Sequence, residues 1–515
     1  MFSEKDLQSI ESKGIRINEV EKQLDRFRSG FPFLQMLRAA APGDGILAPD
    51  NQEKEKYRKY FEDLKSNLEI VKFVPASGAA SRMFKHLFEF RDSFSGSPED
   101  TENYTNDQEF NSVYYFFTHL SSFPFYEELK ALLQKRGISV DEAVENNNFI
   151  PVLDALLDET GMNYAGLPKA LLSFHRYPDG NRTPMEEHMV EAARYALDPS
   201  DTARIHFTIS PEHREKFNQK IKEVQGKYES LFNIRYEITS SIQEPATDTL
   251  AVDINNQPFR KNDGSLVFRP AGHGALLRNL NRLDSDLIFI KNIDNVVPDR
   301  LKEVTYEYKE LLGGYLLWIR DKIFEFLRKI EECDIPEEEI QAMAEFARTK
   351  ANISLPPAFA YREKSSRILS LKQLLNRPIR VCGMVKNEGE PGGGPFWVLD
   401  NQWEESLQII EPPQVDIKAP EQAKIFSQSS HFNPVDLVCC IRDYKGNKFN
   451  LADFVDESSG LISQKSAGGK ILKALELPGL WNGSMAGWIS IFIEVPIITF
   501  NPVKTINDLL RKEHQ

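Results

Sequence analysis

Cysteine is nearly missing: Cys333, Cys382, Cys439 and Cys440 are the only four in a chain of 515 residues. They show no paired metal-ligand spacing, which excludes a structural zinc site and a disulfide framework and implies reduced thiols in a reducing compartment. Long apolar runs are missing as well. No stretch approaches the roughly eighteen apolar residues of a membrane-spanning helix. The opening MFSEKDLQSIESKG is charged, unlike a secretory signal, so a cytoplasmic location is expected. Nor is there an excess of cations: 63 Lys and Arg face 77 Asp and Glu, a formal net charge of −14. That argues against nucleic acid or an anionic membrane as the main partner, since both require clustered positive charge. A small phosphate ligand needs only a local site. The chain also lacks a hexapeptide repeat, a His-Glu-x-x-His pair, a Gly-x-Ser-x-Gly elbow and a P-loop spacing, although SAGGKILKALELPG ends a loop with Lys470 ahead of an apparent helix.

What is present is an alternation of periods. Residues 1–65 read as a helical region, in which EVEKQLDRFRSGFPFLQMLRAA keeps apolar residues at three- and four-residue steps until Pro42-Gly43. LEIVKFVP, RIHFTIS, IRYEITS, SLVFRP and DLIFIKNID then read as short strands separated by helical stretches. This predicts an α/β core with a mainly parallel sheet, its first part over 66–305, with a helical insertion at about 86–160. Residues 306–365 read as a second helical insertion, broken at Gly313-Gly314. Residues 366–515 read as the second part of the core with a strand-rich C-terminal region.

Three constellations stand out. VPASGAASRMFK places a loop of small residues, Ala76, Ser77, Gly78, Ala79, Ala80 and Ser81, between a strand and a helix, followed by Arg82. Small side chains let backbone N–H groups approach an anion, and a guanidinium can fork onto phosphate oxygens. The plain alternative is a tight strand-to-helix turn. In GLPKALLSFHRYPDGNRTPMEEHMVEAARYA, Thr183, Pro184 and Glu186 form a helix start, while Glu187 and His188 read as helix surface or a local hydrogen bond. Lys169 reads as a strand-edge lysine. In LVFRPAGHGALLRNLNRLDSDLIFIKNIDNV, the Gly272-His273-Gly274 loop permits close backbone approach. Asp294 falls at the carboxyl end of a strand, where open α/β sheets place ligands and where one carboxylate suits Mg²⁺. The alternative makes Asn292 and Asp294 turn formers and His273 an ordinary buried histidine.

In this order the pieces resemble the nucleotide-sugar pyrophosphorylases, in particular the UDP-sugar branch, and point to a bacterial branch of that superfamily. Residues 76–82 align without a gap with the family's Ala-Gly-Gly-x-Gly-Thr-Arg loop. Pro168-Lys169 resembles its Pro-Lys, SSIQEPATDT with Gln243 its uracil-side glutamine, RPAGHGALL its Pro-x-Gly-x-Gly, and KNIDNV its Asn-x-Asp-Asn. LQIIEPPQVD with Glu411 and HFNPVDLVC with Asn433 and Asp436 are similar to its sugar-side segments. The resemblance implies a doubly wound, Rossmann-like fold and a nucleotidyltransferase that joins a sugar 1-phosphate to a nucleoside triphosphate, UTP, releasing pyrophosphate. It assigns residues 76–81 to the triphosphate, and Arg82, Lys169 and Asp294 to catalysis. Gln243, Gly272, His273 and Gly274 are assigned to base and ribose, Glu411 and Asn433 to the sugar, and Asp294 with Asp436 to Mg²⁺. The chain departs from the family at Ser77, Ala80 and Ser81, where Gly, Gly and Thr are usual; Ala80 adds a Cβ beside the phosphate path. Two other classes therefore stand beside the enzyme: a non-catalytic sugar-nucleotide binder on the same fold, and a structural protein. The segments after residue 440, including TFNPVKTINDLL, carry no assigned role.

Overall fold

A computed structural model describes every residue except 1, 79, 333–334, 391, 400–403 and 468–469. Two compact units divide the chain: residues 1–73, 241–290 and 308–496, and residues 74–240, 291–307 and 497–515.

The near-continuous apolar runs fold into strands, as expected for chains buried on both faces. In the first unit the sheet order is Ala41–Pro42, Gly45–Leu47, Ile489–Glu494, Ile379–Lys386, Asp436–Cys440, Leu287–Lys291, Ile70–Pro75. The first four of these run parallel to one another, and Leu287–Lys291 runs parallel to Ile70–Pro75 with Leu287 opposite Ile70. Ile379–Lys386 and Asp436–Cys440 are antiparallel. The expected α/β architecture with a mainly parallel sheet is therefore present. Cys382, Cys439 and Cys440 are buried free thiols; Cys333 lies outside the described residues.

Three local expectations fail for identifiable reasons. The helix Ile17–Ser29 stops at Gly30, which has φ 74°, and Gln35–Ala39 is a strand antiparallel to Gly394–Leu399. Over five residues the spacing of QMLRA suits either period, and Gly30 with Pro32 decides it. Gly313-Gly314 does not break the helix Asp299–Ile330. A Cβ on Gly314 would lie 1.8 Å from the carbonyl oxygen of Tyr57, so the glycines let this helix touch Asn51–Lys65. Lys470 begins a strand rather than a helix: Lys470–Glu476 pairs antiparallel with Leu461–Ala467.

In the second unit, Thr202–Ile209 and Arg235–Ile242 are neighbouring strands joined by the helix Arg214–Phe232. The insertion folds into short helices around an aromatic core that includes Phe116, Phe117, Phe123 and Phe149. Val503, Ile506 and Leu509 of the C-terminal segment pack into that same core. The helix Pro184–Tyr195 starts as the sequence predicts, with Thr183 and Glu186 forming a reciprocal capping box. Glu187 and His188, however, are fully buried rather than on a surface. Glu187 takes the Lys302 ammonium and the His175 ring, and His188 Nε2 lies 3.2 Å from the Asn292 carbonyl oxygen. Burying such groups requires these partners. Among the described residues no helix is long and apolar enough to cross a membrane.

Candidate functional site

Two strand ends open the second unit's cluster. The amide of Ile293 donates to the Pro75 carbonyl at 3.3 Å, so the turn holding Asp294 starts beside the small-residue loop. Ala76 is anchored by its amide to the Thr208 carbonyl at 2.9 Å, and Ser210 Oγ donates to the Ser77 carbonyl at 2.8 Å. Gly78, Ser81 and Arg82 are exposed, and a Cβ on Gly78 would meet nothing within 4 Å. Ala80 is buried, and its amide donates to the Leu167 carbonyl at 3.2 Å. Ala79 lies outside the described residues. A short 3₁₀ turn, Ala80–Phe84, leads into the helix Lys85–Ser93.

Asp294 is 6% exposed, and its Oδ2 accepts from two ammonium groups, Lys169 Nζ and Lys504 Nζ, each at 3.0 Å. Lys169 also donates to the Val503 carbonyl at 2.7 Å. Burial alone would raise the Asp294 pKa, but the charges of Lys169 and Lys504 outweigh it and hold the carboxyl below the usual range. Lys169 is thus no strand-edge ornament; it begins a 3₁₀ turn after Pro168 with its head on Asp294.

The sequence missed Lys504. It arrives on the C-terminal segment, whose docking is specified by polar ties to the same turn: Val503 N to the Asp294 carbonyl at 3.1 Å, and Asn501 N to Asn295 Oδ1 at 2.9 Å. Asn507 Nδ2 adds a bond to the Phe110 carbonyl at 2.8 Å, fixing the segment to the helical insertion. A lysine in TFNPVKTINDLL carries no local signal of this; the tertiary contact creates the role.

A second cluster lies in the first unit. The ring of His273 stacks on Trp481 at 4.1 Å, and its Nδ1 accepts from the Leu480 amide at 2.9 Å. A backbone N–H can only donate, so the proton of neutral His273 sits on Nε2, which lies 3.7 Å from Glu411 Oε1. Burial alone would raise Glu411, but the neighbouring His273 ring, with Asn482 and Trp481, outweighs it and keeps its carboxyl low. Asn433 joins this group through Gly393, whose carbonyl accepts from the Asn433 amide at 2.8 Å and whose Cβ would lie 3.2 Å from Glu411 Cγ. Gly272 has φ 77°, and a Cβ on Gly274 would lie 2.1 Å from the Pro478 carbonyl oxygen. Gln243 donates to Thr247 Oγ1 at 3.5 Å, within its own turn.

The resemblance assigns Asp436 to the metal. It is 2% exposed and forms an ion pair with the fully buried Lys309, so its charge is already neutralised inside the sheet layer. Among the described residues no group of three or more His, Cys, Asp or Glu offers a metal cage.

This is an α/β protein with one carboxylate held by two lysine ammonium groups near adjacent strand ends. The chain belongs to the family described as Domain of unknown function (DUF4301), whose model matches residues 3–515. No curated protein matches it in sequence. It is similar to the UDP-glucose pyrophosphorylase from Leishmania major solved in open and closed states, at 13% identity and a TM-score of 0.44, covering 99% of this chain and 79% of that one. A variant of that protein in complex with UDP-glucose matches at 13% identity and TM-score 0.45, over 98% and 77% of the chains. The UDP-glucose phosphorylase from Trypanosoma brucei matches at 11% identity and TM-score 0.44, also over 98% and 77%.

Proposed function

We propose that the protein is a nucleotidyltransferase that joins a sugar 1-phosphate to UTP and releases pyrophosphate. One observation carries this reading: Lys169 and Lys504 converge on the single carboxylate of Asp294, beside the exposed end of the Ser77–Ser81 loop. Two ammonium groups against one carboxylate leave a net positive, partly buried site, which favours a polyphosphate.

In the reaction a sugar-phosphate oxygen attacks the α-phosphorus in line. The new P–O bond forms as the bond to the β-phosphate oxygen breaks, and pyrophosphate departs with that electron pair. No covalent enzyme intermediate is needed, so catalysis is positioning and charge stabilisation. Lys169 neutralises charge on the attacking and α-phosphates, Lys504 adds a second cation on the same carboxylate, and exposed Arg82 meets the leaving pyrophosphate. Asp294 holds both lysines in place. The resemblance assigns Gln243 and Gly272–Gly274 to base and ribose, and Glu411 and Asn433 to the sugar.

Mg²⁺ commonly takes one or two protein carboxylates and completes its shell with phosphate and water. Asp294 offers one carboxylate, of which Oδ2 bears the lysines, and this donor set fits an ion that enters with the triphosphate rather than a resident one. Bound there, the ion would shield phosphate charge. The test is pyrophosphate release from UTP with a panel of hexose 1-phosphates and Mg²⁺; no release from any pair contradicts the reading.

A second reading is favoured by Ala80, whose amide is already engaged by the Leu167 carbonyl and so is withdrawn from any phosphate. A non-catalytic sugar-nucleotide binder predicts calorimetric binding of UDP-sugar that ignores Mg²⁺, without turnover.

A further inference from the structure

We infer that a cavity in the first unit binds a zwitterion, an α-amino acid with an apolar side chain, its carboxylate on the Arg377 guanidinium and its ammonium towards Glu404. The cavity measures about 1020 Å³, ample for a small molecule. Its described walls include Arg377, Glu404, Ile353, Leu374 and Leu399, all within the first unit.

Arg377 is a fixed cation with an open fork. It follows the helix Lys364–Leu375, and its Nε donates to the Leu374 carbonyl at 2.7 Å, which holds the side chain at the helix end. The residue is half-buried, so part of its surface is accessible, and it lines the cavity. Among the described residues no hydrogen bond or ion pair reaches its two terminal nitrogens. Burial pulls the guanidinium down to about 10, against the nearby Glu404 charge, so it remains a cation at neutral pH. A desolvated guanidinium is stable when an oxyanion forks onto it, and here that place is left to a ligand.

Charge selects among oxyanions. Glu404 acts on Arg377 through its charge without forming a direct ion pair with it. A dianionic phosphate would meet that carboxylate unbalanced, whereas a zwitterion answers both charges. The other acidic residues of the lining are engaged locally: Glu405 by Arg38, Asp453 by Asn450 and Asp456 by Ser458. Ile353, Leu374 and Leu399 supply an apolar wall for the ligand's side chain.

None of these five residues is assigned to the nucleotide or the sugar. The lining also includes Asn482, a neighbour of Glu411, so competition with UDP-glucose decides whether the Arg377 site stands apart. Leucine and phenylalanine are titrated into the intact chain and followed by saturation-transfer NMR, beside leucinamide, isocaproate and inorganic phosphate. The expected result is saturable binding of at least one amino acid, undisplaced by UDP-glucose. Leucinamide, which lacks the carboxylate, and isocaproate, which lacks the ammonium, should each bind about tenfold or more weakly than leucine. Arg377→Lys keeps the charge and loses the fork, and should weaken amino-acid binding by about tenfold or more. Circular dichroism verifies the fold of that variant, and the ligand series needs no variant at all. Any one of these results would overturn the inference: no saturable binding of either amino acid, leucinamide or isocaproate binding as tightly as leucine, phosphate binding more tightly than both amino acids, parent-like binding in Arg377→Lys, or displacement by UDP-glucose.

Discussion

The Lys504 ammonium lies 3.0 Å from Oδ2 of Asp294, 210 residues earlier in the chain. Lys169 reaches the same oxygen from a third segment. One buried carboxylate thereby organises two cations, and the consequences can be measured.

Asp294→Ala releases both lysines from a fixed geometry and removes the proposed metal ligand. Pyrophosphate release is expected to fall by about 10²–10³-fold, the range for losing one preorganised charge-stabilising group. The carboxyl pKa is held low by the two lysines, so Asp294 stays ionised from pH 5 to 8 and contributes no step to the pH–rate profile there. A rate profile titrating near neutrality that disappears in Asp294→Asn would contradict this assignment.

Stability is expected to decline on acidification below about pH 6.5. His514 Nδ1 lies 2.9 Å from His175 Nε2, and His175 in turn meets Glu187 at 2.7 Å. Burial, helped by the neighbouring His175, lowers the His514 pKa from 6.5 to about 3; burial also lowers His175, against the pull of Glu187. The unfolded chain then binds protons that the folded chain refuses, so stability present above the unfolded pKa of 6.5 is lost progressively as pH falls toward the folded value. The slope from one such group reaches at most about 1.4 kcal/mol per pH unit. Denaturant unfolding at several pH values should show it, and His514→Gln should flatten it.

Two glycines should behave oppositely. Gly274→Ala forces a Cβ against the Pro478 carbonyl oxygen and should destabilise the protein by about 1–3 kcal/mol. Gly78→Ala meets open space, so its unfolding free energy should stay within about 0.5 kcal/mol of the parent while UTP binding weakens. Thermal unfolding and calorimetry on the two variants separate the effects.

Lys309→Met leaves Asp436 buried without its cation. A loss of about 3–5 kcal/mol in unfolding free energy is expected, whereas Lys309→Met combined with Asp436→Leu should recover much of it. Recovery would mark the pair as a fold element; no recovery would return Asp436 to the list of functional residues.

Much of the architecture was legible because buried strands announce themselves as short apolar-rich runs: Ile70–Pro75, Thr202–Ile209 and Leu287–Lys291 lie where the sequence put them. The capping chemistry of Thr183 and Glu186 was equally readable, being local. The failures share a cause. Gln35–Ala39, Gly314 and Glu187 each owe their state to a partner distant in sequence: a paired strand, the carbonyl of Tyr57, and the ammonium of Lys302. Lys504 belongs with them, since its place follows from the docking of residues 497–515 and from nothing in its neighbours.

The most direct test of the central claim is calorimetric titration of UTP into the parent protein, Lys169→Ala and Lys504→Ala, each with a matched thermal-unfolding control. Binding by the parent, weakened about tenfold or more in each variant while the fold is retained, is the predicted result. Parent-like UTP binding in both variants, or none in the parent, would contradict the assignment of a polyphosphate to the Asp294 lysines.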